Sequence, residues 1–437
     1  MTADAERPAR FLWLPPGARP PLPLPRRQET VFLLVGLTLL FSGYDLNIFG
    51  LALPQIQREL HIPENMAGLT VSFFRLAAIP ALVLALTADV LGRRRLLLIT
   101  VFGEALLTLV TAFAQDYAQF VWLQVLARVF GYSEELLCFV VVAEEIDARV
   151  RGWSTGALGA MSAVGAGLAS IVFAAVNVLP YGWRALYVIG GGTLMILAYY
   201  RRWLPETHRF ELRRKELEEL GSKTRATADA VLRLAREHPG RLAALILSVG
   251  AFGYGMGPAT VLMSKYLQQT HHYHPAQITM LFISGGLIAV AGNIFAGRVS
   301  DRLGRKRVLL FCAAIAGAAF AVFYSGVEGW TLPAAWVLAI FGFLSADVLF
   351  AGLAVEIFPT AYRATASGIR YLTVILFGAL GLALEGMFYD WYGAHGPAIA
   401  TSLFAIPVAL VVILFLPETA RRSLEEISED EPRDAPS

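Results

Sequence analysis

Apolar residues in this chain fall in long blocks rather than in the one-sided stripes of surface helices. Blocks of about 20 such residues are long enough to cross a bilayer as a helix. Twelve can be read, at roughly 30–53, 66–90, 96–115, 119–143, 153–178, 184–203, 241–265, 276–299, 308–327, 332–358, 364–388 and 394–416. A soluble core cannot supply twelve such blocks in one chain. The pattern predicts an all-α membrane protein, multi-pass in the cytoplasmic (plasma) membrane.

Composition agrees. Of the 437 residues, 56% are hydrophobic and only 16% charged, against about 25% charged in ordinary soluble proteins. Both cysteines, Cys138 and Cys312, fall inside apolar blocks, which argues against a disulfide framework or a cysteine metal site. Residues 1–29 carry arginines and a run of prolines without an apolar core, and read as a disordered basic tail. Lys and Arg collect in that tail, in the loops after even-numbered blocks and in the C-terminal tail. The opposite loops are nearly free of them: 54–65 has only Arg58. Both termini are therefore expected in the cytoplasm.

The charged loops contain a duplication. ADVLGRRR at 88–95 matches SDRLGRKR at 300–307, EEIDARVRG at 144–152 matches EIFPTAYRA at 356–364, and LPET at 204–207 recurs at 416–419. All three share one offset, 212 residues. The chain is thus expected to hold two six-helix, pseudo-symmetric halves, 30–207 and 240–419. A cytoplasmic linker at 208–239 joins them and includes the charge-rich ELRRKELEEL; a cytoplasmic tail follows at 420–437. Two such halves predict a binding site between them, near the bilayer midplane.

DVLGRRR and DRLGRKR resemble the signature loop of the major facilitator superfamily, the Glu…Arg stretches resemble its signatures after the fourth and tenth helices, and LPET resembles the half-ending motifs of its sugar porters and organic ion and metabolite symporters. GYDLNIFGLALPQI resembles the first helix of proton-coupled metabolite and aromatic-acid symporters. The resemblance covers about residues 30–427 and implies twelve transmembrane helices and alternating access. It also implies a conformational latch built from Asp89, Gly92, Arg93, Glu144, Arg151, Asp301, Gly304, Arg305, Glu356 and Arg363. Gly92 and Gly304 would permit the tight turns between helices.

Few ionisable residues lie at depth in the apolar blocks, and each is a functional candidate. They are Asp45, Arg75, Glu104, Arg128, Glu134, Glu135, Asp347, Arg370 and Glu385. Arg128 and Glu135 are seven apart and share a helix face with Gly131, which leaves room for a ligand or for a side chain from another helix. Glu134 is rotated by about 100°. One of the two glutamates is expected to face a cavity and the other a helix contact. The offset pairs Glu135 with Asp347 but Asp45 with Gly257, beside Pro258, where a kink is expected. Asp45, with Arg75 or Arg128 as partner, Glu134, Glu135, Asp347 and Asn47 form the expected coupling and substrate set. Glu104 reads as a structural helix contact, and Arg370 and Glu385 as interfacial or paired. Arg75 could instead bind an anionic substrate.

Small residues at Gly152, Gly156, Gly159, Ala163 and Gly167 predict close packing of the fifth block. His271, His272 and His274 crowd one loop, with a metal site or a plain exposed loop as the alternatives. No catalytic triad or phosphate-binding loop appears, so neither an enzyme nor an ATP-driven pump is expected, and no cofactor. The expected activity is proton-coupled symport of a small polar organic solute, by a monomer in the lipid bilayer without nucleic-acid partners. A proton-driven exporter of drugs or metabolites, or a transporter-like sensor, is the alternative.

Overall fold

The computed structural model describes residues 8–9, 19–20, 22, 24–146, 150–202, 224–359 and 362–419. The linker segment 208–223, the first LPET stretch and most of both tails lie outside them. Apart from a two-residue antiparallel pairing of Pro8–Ala9 with Leu24–Pro25, the described residues form helices and their connections. In order these are α1 (Arg26–Leu60), α2 (Met66–Leu76), α3 (Ala78–Leu86), α4 (Ala88–Leu91), α5 (Arg93–Thr111), α6 (Tyr117–Glu145), α7 (Arg151–Phe173) and α8 (Trp183–Arg201). Next come α9 (Thr224–Glu237), α10 (Pro239–Val261), α11 (Met263–Gln269), α12 (Pro275–Leu303) and α13 (Arg305–Phe323). The last are α14 (Thr331–Glu356), α15 (Arg363–Tyr392), α16 (His395–Ser402) and α17 (Ala405–Ile413).

Prolines explain where helices break. Pro80 has no N–H to give the Leu76 carbonyl, and α2 ends at Leu76. Pro407 likewise has no N–H for the Leu403 carbonyl, which instead accepts from the Ile406 N–H at 2.9 Å in the turn between α16 and α17. Pro258 lies inside α10, which stops at Val261, with α11 beginning two residues on. The carbonyl that Pro258 frees, on Tyr254, lies against Gly381 of α15, where a Cβ would approach within 2.2 Å. Gly92 and Gly304 end α4 and α12 at φ 94° and 108°, left-handed values that suit glycine, and the chain turns directly into α5 and α13.

Among the described residues, eight helices, counting α2–α3 and α16–α17 as one each, are long and apolar enough to cross a membrane. Large apolar side chains such as Phe102, Trp122, Leu287 and Phe311 are exposed on the helix surfaces, as a lipid solvent permits. Helices α5, α6 and α8 fall short of that apolar standard. They are the helices that carry Glu104, Arg128, Glu134 and Arg201.

The helices sort into two compact units. The first holds Met1–Ile62 and Ala77–Gly221, the second Pro63–Leu76 and Ser222–Ser437. In the first unit, Gly43 and Gly165 bring α1 and α7 together. A Cβ on Gly165 would sit 1.7 Å from the Leu40 carbonyl, and one on Gly43 2.3 Å from that of Ser162. The predicted contact face is different: Gly156, Gly159 and Gly167 meet nothing within 4 Å of an added Cβ. Composition located the small residues in α7, but the helix rotation that packs them is a tertiary choice. Val35, Leu39, Leu97, Leu137 and Val141 fill the core between α1, α5 and α6. In the second unit, α2 lies along α15, with Gly68 and Gly386 at the close approaches. Gly342 of α14 meets the Cys312 carbonyl of α13 in the same way, at 2.7 Å for an added Cβ.

Candidate functional site

The first unit contains a buried ionic network. Helix α1 runs unbroken through Ser42, Gly43 and Asp45 and ends at His61, whose N–H caps the Gln57 carbonyl. Helix α6 is started by Asp116, whose carboxylate accepts from the Gln119 N–H at 2.8 Å, and presents Gln124, Arg128 and Gly131. Arg128 reaches Asp45 twice: Nη2 donates to its backbone carbonyl at 3.1 Å, and Nη1 lies 3.9 Å from Oδ2. Gln124 accepts from the same guanidinium at 3.4 Å. Asp45 is 1% and Arg128 3% exposed. The Asp45 Oδ1 atom is buried, and the Thr108 hydroxyl on α5 faces the carboxylate. Of the two partners the sequence offers Asp45, Arg128 takes the place; Arg75, on α2 in the second unit, packs against Gly378.

A second pair lies beside the first. Arg201, at the end of α8, donates to Glu134 Oε1 at 2.9 Å and to the Cys138 sulfur at 3.4 Å. Both charged side chains are fully buried. The glutamate that makes the helix contact is therefore Glu134, and Glu135 is half-buried. The Glu104 carboxylate on α5 accepts from the Ser42 hydroxyl at 2.9 Å and lies over Gly131, where a Cβ would come within 2.8 Å. The space left by that glycine holds a side chain from another helix. Asn47 donates back to the Gly43 carbonyl of its own helix at 2.8 Å.

Arg201 was missing from the sequence-derived set because it sits at the edge of its apolar block, among the arginines that orient the chain. Its depth depends on how α8 packs against α5 and α6. The second unit holds a separate cluster that sequence reasoning also missed, apart from Glu385. His395 has Glu385 Oε1 at 2.7 Å from Nδ1 and Glu64 Oε2 at 3.2 Å from Nε2. Lys265, wholly buried, also bonds to Glu64, and Gln269 donates to Glu64 Oε1 at 3.1 Å. A carboxylate on each ring nitrogen places a proton on both, so the ring is an imidazolium. The hydrogen bond from His395, aided by Lys265 and Gln269, holds Glu64 down to about 2 from 4.5, with burial acting the other way.

The motif residues form short ionic chains. Arg93 bonds to the Ala88 carbonyl at 3.1 Å and to Glu144 at 3.2 Å. Arg305 pairs with Glu356 at 2.7 Å and with Asp301 at 3.4 Å. Its backbone N–H bonds to Glu418 of the second LPET stretch, and Thr419 donates to Glu356. Arg363 is half-buried at the start of α15. The side chains of Asp89 and Arg151 lie outside the described part. Asp347 pairs with Arg370 at 2.9 Å and is 42% exposed. Among the described residues no group of three His, Cys, Asp or Glu could hold a metal ion, and His274 serves as the cap of α12, its N–H bonded to Gln277.

The family model of the Major Facilitator Superfamily matches residues 35–273 and 244–436. The chain belongs to the major facilitator superfamily. Two curated relatives match along most of this superfamily member. The cis,cis-muconate transport protein of Acinetobacter baylyi is 26% identical over 82% of this chain and 85% of its own. The gallate transporter of Pseudomonas putida is 26% identical over 83% and 86%. Among solved structures, the inward-open xylose transporter XylE from E. coli superposes with a TM-score of 0.71 at 17% identity. That match covers 92% of this chain and 99% of XylE, and it establishes the shared fold. As a superfamily member the chain is a multi-pass plasma-membrane transport protein, not an enzyme.

Proposed function

We propose that this protein is a proton-coupled symporter that takes up a small organic acid by alternating access. It does so as a monomer with twelve transmembrane helices and cytoplasmic termini. The observation that carries the reading is the buried Asp45–Arg128 pair. One Asp45 oxygen faces the guanidinium, and the Thr108 hydroxyl faces the carboxylate as well; a hydroxyl can turn from donor to acceptor, so a proton can be taken up there without leaving a group unpaired. Protonation neutralises Asp45 and weakens its hold on Arg128, whose planar fork then becomes available to a carboxylate. The relatives named for muconate and gallate transport make an unsaturated or aromatic acid the substrate class to test first. Asp347–Arg370 and Glu135 complete the candidate polar set, and the Arg93–Glu144 and Arg305–Glu356 pairs are the candidate latches.

Uptake of muconate or gallate into proteoliposomes, with and without an imposed pH gradient, tests this. With one proton per solute, a gradient of one pH unit sustains about tenfold accumulation, the equivalent of about 1.4 kcal/mol. Asp45→Asn should reduce the ratio to that seen without a gradient while leaving solute exchange in place. Equal accumulation by the wild type in both conditions would remove proton coupling.

A further inference from the structure

The buried network of the first unit does not balance if every acid is ionised. Asp45, Glu104 and Glu134 stand against Arg128 and Arg201, three acids against two cations. An uncompensated carboxylate in such a place is costly. The hydrogen bonds say where the balance is restored. Glu134 is paired with Arg201 and Asp45 with Arg128, while Glu104 has only the neutral Ser42 hydroxyl. The Glu134 carboxyl is also the acidic group that Glu104 faces most strongly. Two ionised carboxylates would repel there, and neither would have a hydrogen to give the other. Independently, Glu134 Oε2 is fully buried and meets no N–H or O–H donor from any other residue. It is the acceptor that an acid on Glu104 would serve.

We infer that Glu104 is a second proton site, a neutral carboxylic acid that donates to Glu134 and accepts from Ser42. Glu104 holds its proton throughout the transport cycle, and Asp45 is the carboxylate that exchanges one. The groups facing Glu104 fit this division. From α6 come Glu134 and Arg128, from α8 Arg201, and from α1 Ser42 and Asp45. With Glu104 neutral, each remaining acid has one guanidinium. Were Glu104 to ionise, it would face Glu134 directly with no cation of its own. Glu104 also presses onto the bare backbone at Gly131, where an added Cβ would come within 2.8 Å of its carboxyl. Transport should therefore fall at alkaline pH, as the Glu104 proton is lost.

The assignment of Glu104 deepens the proton-coupling proposal for Asp45, and the two can fail separately. Infrared absorption of the purified protein distinguishes a protonated carboxyl from a carboxylate. The wild type at neutral pH should show a protonated-carboxyl band that Glu104→Gln removes and Asp45→Asn retains. Ser42→Ala, which deletes the hydroxyl bonded to Glu104, should shift that band without removing it, and it carries the test if Glu104→Gln does not fold. A Glu104→Gln difference spectrum containing only ionised carboxylate overturns the proposal, as does a band that Ser42→Ala leaves unmoved. In proteoliposomes Glu104→Gln, neutral from the start, should accumulate solute like the wild type and lose the alkaline decline. Gradient-driven accumulation abolished in Glu104→Gln would mean that Glu104 carries the transported proton, and would overturn its role as a store. The band present as expected, but wild-type accumulation indifferent to the gradient, would leave Glu104 standing and remove coupling through Asp45.

Discussion

Among the described residues, each unit holds an ionic cluster with buried members, and the two clusters occupy non-equivalent positions of the repeat. Under the offset of 212, Asp45, Glu104, Arg128, Glu134 and Arg201 fall on Gly257, Ala316, Ile340, Ala346 and Ile413. Ala316, Ala346 and Ile413 are fully buried, so the second unit packs hydrocarbon where the first holds its network. The converse also holds. Lys265, Glu385 and His395 fall on Leu53, Phe173 and Trp183, all buried in the first unit. The same helix frame thus accepts either charge or hydrocarbon at these depths. Charge at such a place is not a requirement of the fold, and its retention in one unit points to use.

The strongest way to break this comparison is to give the first unit the residues of the second. Arg201→Ile or Glu134→Ala alone leaves a buried charge without its partner, and each should cost about 3–5 kcal/mol in thermal or denaturant unfolding in detergent. The double variant restores balance and should recover most of that loss. If both singles are as stable as the wild type, the pair is not the buried structure seen here.

Gly131→Ala sharpens the same contrast locally. The added Cβ would press on Glu104 from 2.8 Å, at a cost of about 1–3 kcal/mol for overpacking. The equivalent residue in the second unit is Phe343, opposite an alanine rather than a glutamate in the repeat. A combined Gly131→Ala, Glu104→Ala variant should relieve the clash, and unfolding midpoints of the three proteins read the difference.

The smallest effect belongs to the second cluster, because Glu64 is 41% exposed and solvent screens its pairs. Its carboxyl is held below the ordinary value, so its contribution is full above about 4.5 and fades as pH falls toward about 2. The difference in melting temperature between wild type and Glu64→Gln should therefore be fully present from pH 6 to 5, where Glu64 is ionised and His395 protonated, and narrow in stronger acid. A difference that instead grows on acidification would contradict the bonding of Glu64 to His395 and Lys265.

Much of this was legible in the chain. Apolar block length identified membrane helices, and the positions of Pro80, Pro258 and Pro407 mark where helices are interrupted, because a missing N–H acts within one turn. Asp45, Arg128 and Glu134 stood out because charge in an apolar block is rare. Arg201, Lys265 and His395 did not stand out, since each lies at the margin of a block where a charge looks solvated. Glu64 lies in a connection and offers no signal at all.

By itself, then, the sequence determined the class of the protein, its duplication and the short list of costly charges. Those properties are local or periodic and survive without knowledge of neighbours. Only the tertiary structure decided that Arg128 rather than Arg75 meets Asp45, that Glu134 rather than Glu135 takes Arg201, and that Glu104 fills the space over Gly131. The physical reason is that one residue along a helix turns a side chain by about 100°. Which face is inward is settled by the packing of α1, α5, α6 and α8 together, and no single helix carries that information.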